Sequence, residues 1–330
     1  MSQRLVQAWY DGHPLLWLLW PLALLYRLVT ALRRALYAGG LLRAEAFPVP
    51  VIVVGNITVG GTGKTPLTLA LIEFLRAQGY RPGVVSRGYG GKTQYPCLLS
   101  PASTPTEVGD EPYAIYHRTR VPLVVDPLRA RAVSHLLAKT DCNVVLCDDG
   151  LQHHALARDI EIVVLDGARG LGNRLLLPAG PLREPASRLH SVDFVVVNGE
   201  GDVGQPGWRM ALQSQPWRCV GRPLAGAASP LPGSRLHAVA GIGNPQRFFG
   251  MLAAQGFDIL PHAFADHHAY GPADFAFGDD LPVVMTEKDA VKCAGFAADN
   301  WWYVPVQAVL PVSFFDGVVQ LLRQWEKDHA

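Results

Sequence analysis

The chain has 330 residues, 49% of them hydrophobic, and its 29 Lys plus Arg nearly balance 28 Asp plus Glu for a net charge of +1. That supplies apolar material for one large α/β unit and a smaller second one, and it excludes both a chain too polar to fold and a general nucleic-acid binder; any anionic partner must be met locally. The five cysteines, Cys97, Cys142, Cys147, Cys219 and Cys293, are scattered without CxxC spacing, which argues against a disulfide framework or a zinc site and suits a reducing cytosolic setting.

The first element is apolar. Pro14 to Tyr26 (PLLWLLWPLALLY) carries no charge. Continued past Arg27 to Leu32, it approaches the roughly 20 residues of a spanning helix, while its uninterrupted part suits an interfacial one, so both insertions stay open. Arg27, Arg33, Arg34 and Arg43 all follow it, which by the positive-inside rule places the remainder in the cytoplasm against anionic headgroups. A cleaved signal peptide fits poorly, because only Arg4 precedes Asp11. The competing reading is a buried core helix; Trp17, Trp20 and Tyr26, suited to an interfacial belt, favour the membrane.

Beyond Arg43, short β-rich runs alternate with helical segments, the pattern of a mostly parallel sheet with crossover helices. Strands are expected at Val49 to Val54, Pro82 to Ser86, Leu123 to Val125, Val144 to Asp148, Ile160 to Leu165 and Phe194 to Asn198, most of them continuous apolar runs suited to burial on both faces. A helix after the first strand would bury Leu67, Leu71, Phe74 and Leu75 and end at Gly79. Pro223 to Ser234, rich in Pro, Gly, Ala and Ser, reads as a linker. A second α/β unit follows, with strands at Leu236 to Ala240, Pro282 to Met285 and Trp301 to Val306, a helix from Asn244 to Gln255 and a terminal helix from Ser313 to Glu326. The expected organisation is a membrane-associated segment 1–43, a P-loop core 44–225 and a smaller unit 226–330. The fold class is α/β, a P-loop NTPase-like, mostly parallel sheet with helices on both faces.

The chemistry begins at the first strand. Thr58-Val59-Gly60-Gly61-Thr62-Gly63-Lys64-Thr65 ends as a P-loop does, although Thr58 stands where GxxxxGK[ST] has its first Gly. Gly60, Gly61 and Gly63 still let backbone N–H groups wrap phosphate oxygens, and the following helix adds its dipole. Lys64 would reach the β and γ phosphates and Thr65 would hold Mg²⁺. The run Val144 to Cys147 then delivers Asp148 and Asp149 at a strand's C-terminal edge, where α/β sheets bind ligands, which makes both metal candidates against a plain Asp-Gly turn.

TVGGTGKTP at 58–66, SRGYGG at 86–91, VGDEP at 108–112, DDGLQHH at 148–154, LLPAGPLREP at 176–185, DHHAY at 266–270 and TEKDAVK at 286–292 together resemble one family in content and order. It is the tetraacyldisaccharide 4'-kinases, the lipid A 4'-kinases of Gram-negative bacteria, whose P-loop likewise begins with Thr or Ser. The resemblance implies ATP and Mg²⁺ as cofactors and transfer of the γ-phosphoryl group to the 4'-hydroxyl of a tetraacylated disaccharide 1-phosphate, giving lipid IVA at the cytoplasmic face of the inner membrane. The implied partners are that lipid precursor and inner-membrane lipids, with no nucleic acid and no inferable protein partner.

It also implies roles for single residues. Asp110 would be the base that activates the sugar hydroxyl, with His267 from the other unit as its partner. His268 is indistinguishable from His267 by pattern. Glu184 would support the metal, or form a surface ion pair. Arg87, Tyr89, Gln152, His153 and Arg183 would hold the acceptor's hydroxyls and 1-phosphate, and Arg129 and Arg131 would join them or decorate a helix. Thr286 to Asp289 would contact the nucleotide base, or simply start a helix capped by Thr286. A P-loop GTPase or membrane-targeting ATPase is the competing class, for which TEKD is the only approximation to NKxD. A noncatalytic scaffold would leave the GDEP and DHH clusters without use.

Overall fold

The computed structural model describes residues 3–221 and 229–329. Helix α1 (Gln3–Asp11), a 3₁₀ turn (Pro14–Leu19) and α2 (Trp20–Ala38) lead into β1 (Val51–Gly55), α3 (Lys64–Ala77), β2 (Pro82–Ser86) and β3 (Cys97–Leu98). Next come α4 (Pro105–Val108), α5 (Asp110–Thr119), β4 (Leu123–Val125), α6 (Arg129–Lys139), β5 (Val144–Asp148), β6 (Ile160–Asp166), β7 (Phe194–Asn198) and β8 (Trp208–Ser214). The remaining elements are β9 (Arg218–Cys219), β10 (Arg235–Ala240), α7 (Pro245–Ala254), β11 (Asp258–Ala263), β12 (Val283–Thr286), α8 (Glu287–Cys293), β13 (Trp301–Val304), β14 (Val306–Val309) and α9 (Val312–Asp328).

Among the described residues the strands make two sheets. A nine-stranded sheet runs β14-β8-β7-β6-β1-β5-β2-β4-β3, and a five-stranded one runs β11-β10-β12-β13-β9. In the first, β1 lies parallel between β5 and β6, the central place that a continuous apolar run demands. Ile52 and Val54 point into a core shared with α3, α5 and α9, while Val51 and Val53 point into the core under α6. The second sheet is covered by α7, through Phe248, Phe249 and Leu252, and by α8, through Ala290 and Cys293. This is the α/β architecture expected from the alternating pattern. The first half of the expected linker from Pro223 to Ser234, residues 223–228, lies outside the described residues together with the 225/226 boundary.

The chain's end departs from expectation. Trp301 to Val306 reads as one strand, but Pro305 has no amide to donate and breaks the ladder there. β13 stays in the second sheet, and β14 returns to the first, antiparallel to β8. The two crossings run side by side, the Gln215 amide donating to the Pro305 carbonyl at 2.8 Å. Helix α9, expected in the second unit, therefore packs on the first: Phe314, Val318 and Leu322 are buried in its core, with the Phe314 ring edge-on to Phe194 at 5.3 Å.

The N-terminal segment is not a core helix. Pro14–Ala38 is long and apolar enough to cross a membrane, and Trp17 and Leu18 expose 66% and 75% of their surface. Only a narrow stripe touches the protein. Leu16 and Ala23 are buried, the Tyr26 hydroxyl donates to the Arg183 carbonyl at 3.0 Å, and Tyr37 lies 5.8 Å from the His154 ring. Just upstream, the Trp9 indole donates to the Pro178 carbonyl at 3.0 Å.

Candidate functional site

The P-loop spans the gap between β1 and α3 at the C-terminal edge of the first sheet. Gly63 caps α3 with φ +98°, a left-handed backbone that favours glycine, and a Cβ there would also collide with the Asn198 amide. That amide donates to the Thr62 carbonyl at 2.9 Å, tying the end of β7 to the loop. The departure at Thr58 has a local cause. Thr58 forms an antiparallel bridge with Leu182, flanked by Val59 N to Pro181 O at 2.8 Å and Arg183 N to Ile57 O at 2.7 Å. A β-branched residue takes bridge geometry readily, so no glycine is required there. The LLPAGPLREP segment is thus a rail along the P-loop.

Lys64 opens α3, followed by Thr65, and its Nζ stands 3.5 Å from Asp149 Oδ1. Asp149 is held at φ +50° and is also 3.3 Å from Arg183 Nη1. Burial opposes its charge, but Lys64 and Arg183 outweigh burial and hold its carboxyl down to about 2. Asp148 has the opposite environment. Fully buried at the end of β5, it accepts from the Thr68 hydroxyl at 3.4 Å through one oxygen while the other has no partner. Burial, then Glu111 and, against Lys64, Asp149 push its carboxyl up to about 7.

A buried carboxylate oxygen left without a donor fits a hard divalent cation. Among the described residues no cluster of three or more His, Cys, Asp or Glu is arranged to hold a metal. Mg²⁺ needs none, since it takes one or two carboxylates and fills the rest of its shell with phosphate oxygens and water. Glu184 is buried between Gln152 and Arg188. Gln152 Nε2 donates to its Oε1 at 2.8 Å, and Arg188 Nε forms an ion pair at 3.2 Å with Oε2 whose angle is too poor for a hydrogen bond. Glu184, expected to support the metal or to form an ion pair, thus fixes Gln152 and pairs with Arg188, while its Oε2, like the free oxygen of Asp148, has no hydrogen-bond donor among the described residues.

The predicted acceptor residues divide. Arg183 and Gln152 converge, 3.4 Å apart, and Gln152 also donates to the Asn56 carbonyl at 3.1 Å. His153, one residue on, is held down to about 4 by burial and by Arg129 and Arg87, so its ring is neutral at pH 7. Arg129 is fully buried at the start of α6. Its Nη1 donates to the Asp126 carbonyl at 2.7 Å, while among the described residues Nε and Nη2 meet no oxygen acceptor, which suits an anionic ligand. Arg131 instead pairs with Asp126 at 2.9 Å on the helix face.

The second lobe closes the site from above. Asp110 is the first residue of α5, and His267 reaches across so that its Nδ1 stands 3.4 Å from Asp110 Oδ2. His267 is held at φ +62°, a backbone costly for a residue with a Cβ. Its ring lies 5.0 Å from that of Tyr89, over which the Arg87 guanidinium sits at 5.9 Å. His268, indistinguishable in sequence, turns to Asp274 at 3.2 Å. Burial raises the Asp110 carboxyl, but His267, Lys292 and Lys288 together outweigh it and hold it below the usual carboxylate range.

TEKD makes a helix start, with Thr286 accepting from the Asp289 amide at 3.2 Å. Lys288 reaches Glu111 at 3.1 Å and Asp266 at 3.0 Å, and Lys292 bridges Asp289 at 3.1 Å and Asp110 at 3.7 Å. Glu111 and Lys292 went unread although they sit inside GDEP and TEKDAVK, and Lys288 was expected only within a nucleotide-base contact. Their charge is a signal, but the pairing partner lies in the other lobe.

The chain is similar to known proteins over nearly its whole length. The profile of one family, LpxK, tetraacyldisaccharide-1-P 4'-kinase, matches residues 15–323. A tetraacyldisaccharide 4'-kinase of Nitrosococcus oceani is 51% identical over 327 residues, covering 99% of this chain and 96% of its own. That of Pseudomonas fluorescens is 54% identical over 331 residues, covering 98% and 97%. The crystal structure of LpxK from Aquifex aeolicus in complex with ATP superposes with a TM-score of 0.78 at 28% identity, over 93% of this chain and 99% of that one.

Proposed function

The chain belongs to the tetraacyldisaccharide-1-P 4'-kinase family, and on that premise we propose that it phosphorylates the 4'-hydroxyl of tetraacyldisaccharide 1-phosphate with ATP, giving lipid IVA, with Asp110 as the base. The observation that supports the assignment of the base is the meeting of Asp110 and His267 from different lobes. Backbone N–H groups of Gly60 to Gly63 and the N-terminus of α3 bind the phosphates, and Lys64 follows the charge on the γ-phosphoryl group. Asp110 is ionised at neutral pH because its cationic neighbours hold it so. A carboxylate of low basicity suffices when the transition state is loose and the hydroxyl proton moves late. His267 orients that carboxylate and, with Tyr89, walls the site from water.

Magnesium, held by Asp148 with Asp149 and Thr65, would supply positive charge to the transferring phosphoryl oxygens. Arg129 and Arg183, with Gln152 and neutral His153, bind the acceptor's phosphate and hydroxyls. The 3₁₀ turn and α2 rest along the protein from Leu16 to Tyr37 with their other faces exposed, which supports a segment lying in the cytoplasmic interface of the inner membrane rather than crossing it. Purified protein incubated with γ-labelled ATP and detergent-dispersed disaccharide 1-phosphate should label the lipid. Equal ATP hydrolysis with and without acceptor, and no labelled lipid, would make it a switch-type NTPase instead.

A further inference from the structure

The second lobe also presses on the P-loop through residues other than His267 that have no part in the reaction. The turn from β10 into α7 brings Gly243 against the loop so closely that a Cβ on Gly243 would stand 2.5 Å from the Gly61 nitrogen. Arg169, following β6 in the first lobe, donates to the Gly243 carbonyl at 2.5 Å. In the first turn of α7, Arg247 Nη2 reaches Asp166 Oδ1 at 3.0 Å and the Asn198 carbonyl at 3.1 Å, and Nδ2 of Asn244, just before the helix, lies 3.3 Å from Asp166 Oδ2. Asp166 and Asn198 are both buried at the ends of adjacent strands β6 and β7. Asn198 is the residue whose amide holds the Thr62 carbonyl.

A chain of contacts therefore runs from the second lobe through Arg247 and Asn198 to the P-loop. We propose that Arg247 is a positioning residue for nucleotide binding: it fixes the end of β7 so that Asn198 holds Thr62, and the phosphates meet a loop shaped by both lobes. This rests on the phosphate-binding reading of residues 58–65. One guanidinium nitrogen, Nη2, serves the carboxylate and the carbonyl at once, so a lysine ammonium, which also carries several donors on one nitrogen, can replace these contacts only in part because its reach and hydration differ. Removing it also leaves Asp166 buried with its charge uncompensated apart from Asn244 and backbone amides.

The test uses the full-length enzyme in detergent, with initial rates measured against ATP and against the lipid acceptor separately. Arg247→Ala should raise KM for ATP about tenfold, the worth of one charge-assisted hydrogen bond, while KM for the acceptor stays within about twofold. Arg247→Lys should recover part of the loss. Asn198→Ala should reproduce it, and the double variant should be no worse than the poorer single one, because both act through one chain. An unchanged KM for ATP in Arg247→Ala, an equal rise in both KM values, or additive effects in the double variant would overturn the proposal, the last placing Arg247 directly on the nucleotide. Should Arg247→Ala fail to fold, Arg247→Lys and Asn244→Ala are read by the same criteria. Lys64→Ala separates the two levels: if it leaves KM for ATP and turnover unchanged, the phosphate-site reading falls, whatever Arg247 does.

Discussion

The two lobes share a plan, parallel strands with helices on both faces, but they deliver side chains to the site differently. In the first lobe the working groups leave the C-terminal ends of central strands and the tight turns beside them, as Lys64, Asp148, Asp149 and Asn198 do. Their positions are fixed by burial and by the ladder. In the second lobe they come from a loop residue in a left-handed conformation, His267, and from two short helices, α8 with Lys288 and Lys292 and α7 with Arg247. Their positions are fixed by partners in the other lobe. A site of this kind has one rigid half, and its other half is in register only when the lobes are docked.

The largest test of that contrast is chemical. Asp110→Asn should lower kcat by roughly 10²–10⁴ with little change in KM for ATP, as expected for loss of a general base, and His267→Ala should lower it less. Turnover near wild type in both would dissolve the pairing between lobes. Next in size, Phe314→Ala should destabilise the protein by about 3–5 kcal/mol. Because Phe314 packs on Phe194, the loss should appear in hydrogen exchange of β6 and β7 before that of β10 and β12. Earlier exchange in the second sheet would assign α9 to the wrong lobe.

Acid probes the first lobe's basic surroundings. Burial and the arginines around them hold His153 and His154 down to about 4, below the unfolded value of 6.5. As pH falls the unfolded chain takes up these protons first, so the two residues' contribution to stability is full above about 6.5 and drains away toward about 4. Tm should fall across that window, and His154→Gln should flatten the fall; an unchanged slope removes His154 from the account. The smallest effect is expected at Tyr26→Phe, which deletes the bond to the Arg183 carbonyl and should cost about 1 kcal/mol of stability. A large loss of turnover there would mean that α2 steers Arg183 as well as resting on it.

Much of the first lobe was readable because its signals are local. Pro82 to Ser86, Val144 to Asp148 and Phe194 to Asn198 are strands with the bounds their apolar runs give. Strand β11 was invisible because it is a half-exposed edge carrying Pro261, and β8 because only Met210 in it is buried. The motif residues were found; their orientation was not. Nothing in DPLRARA tells that Arg129 turns inward and Arg131 outward, and nothing in DHHAY separates His267 from His268, since both choices are made by neighbours far along the chain. The return of β14 and α9 was missed for the same reason. A single proline marks the crossing, and the strand it answers to lies in another stretch of sequence altogether.

That return has a consequence for how the protein is made. The ribosome releases β8 long before β14, so the first sheet waits with an open edge and the face over α3 uncovered, while the whole second lobe between Gln215 and Pro305 emerges and can close on itself. The lobe holding the phosphate site is begun first and finished last, and chains cut short near the C-terminus lose the sheet of the P-loop rather than the sheet they appear to end in.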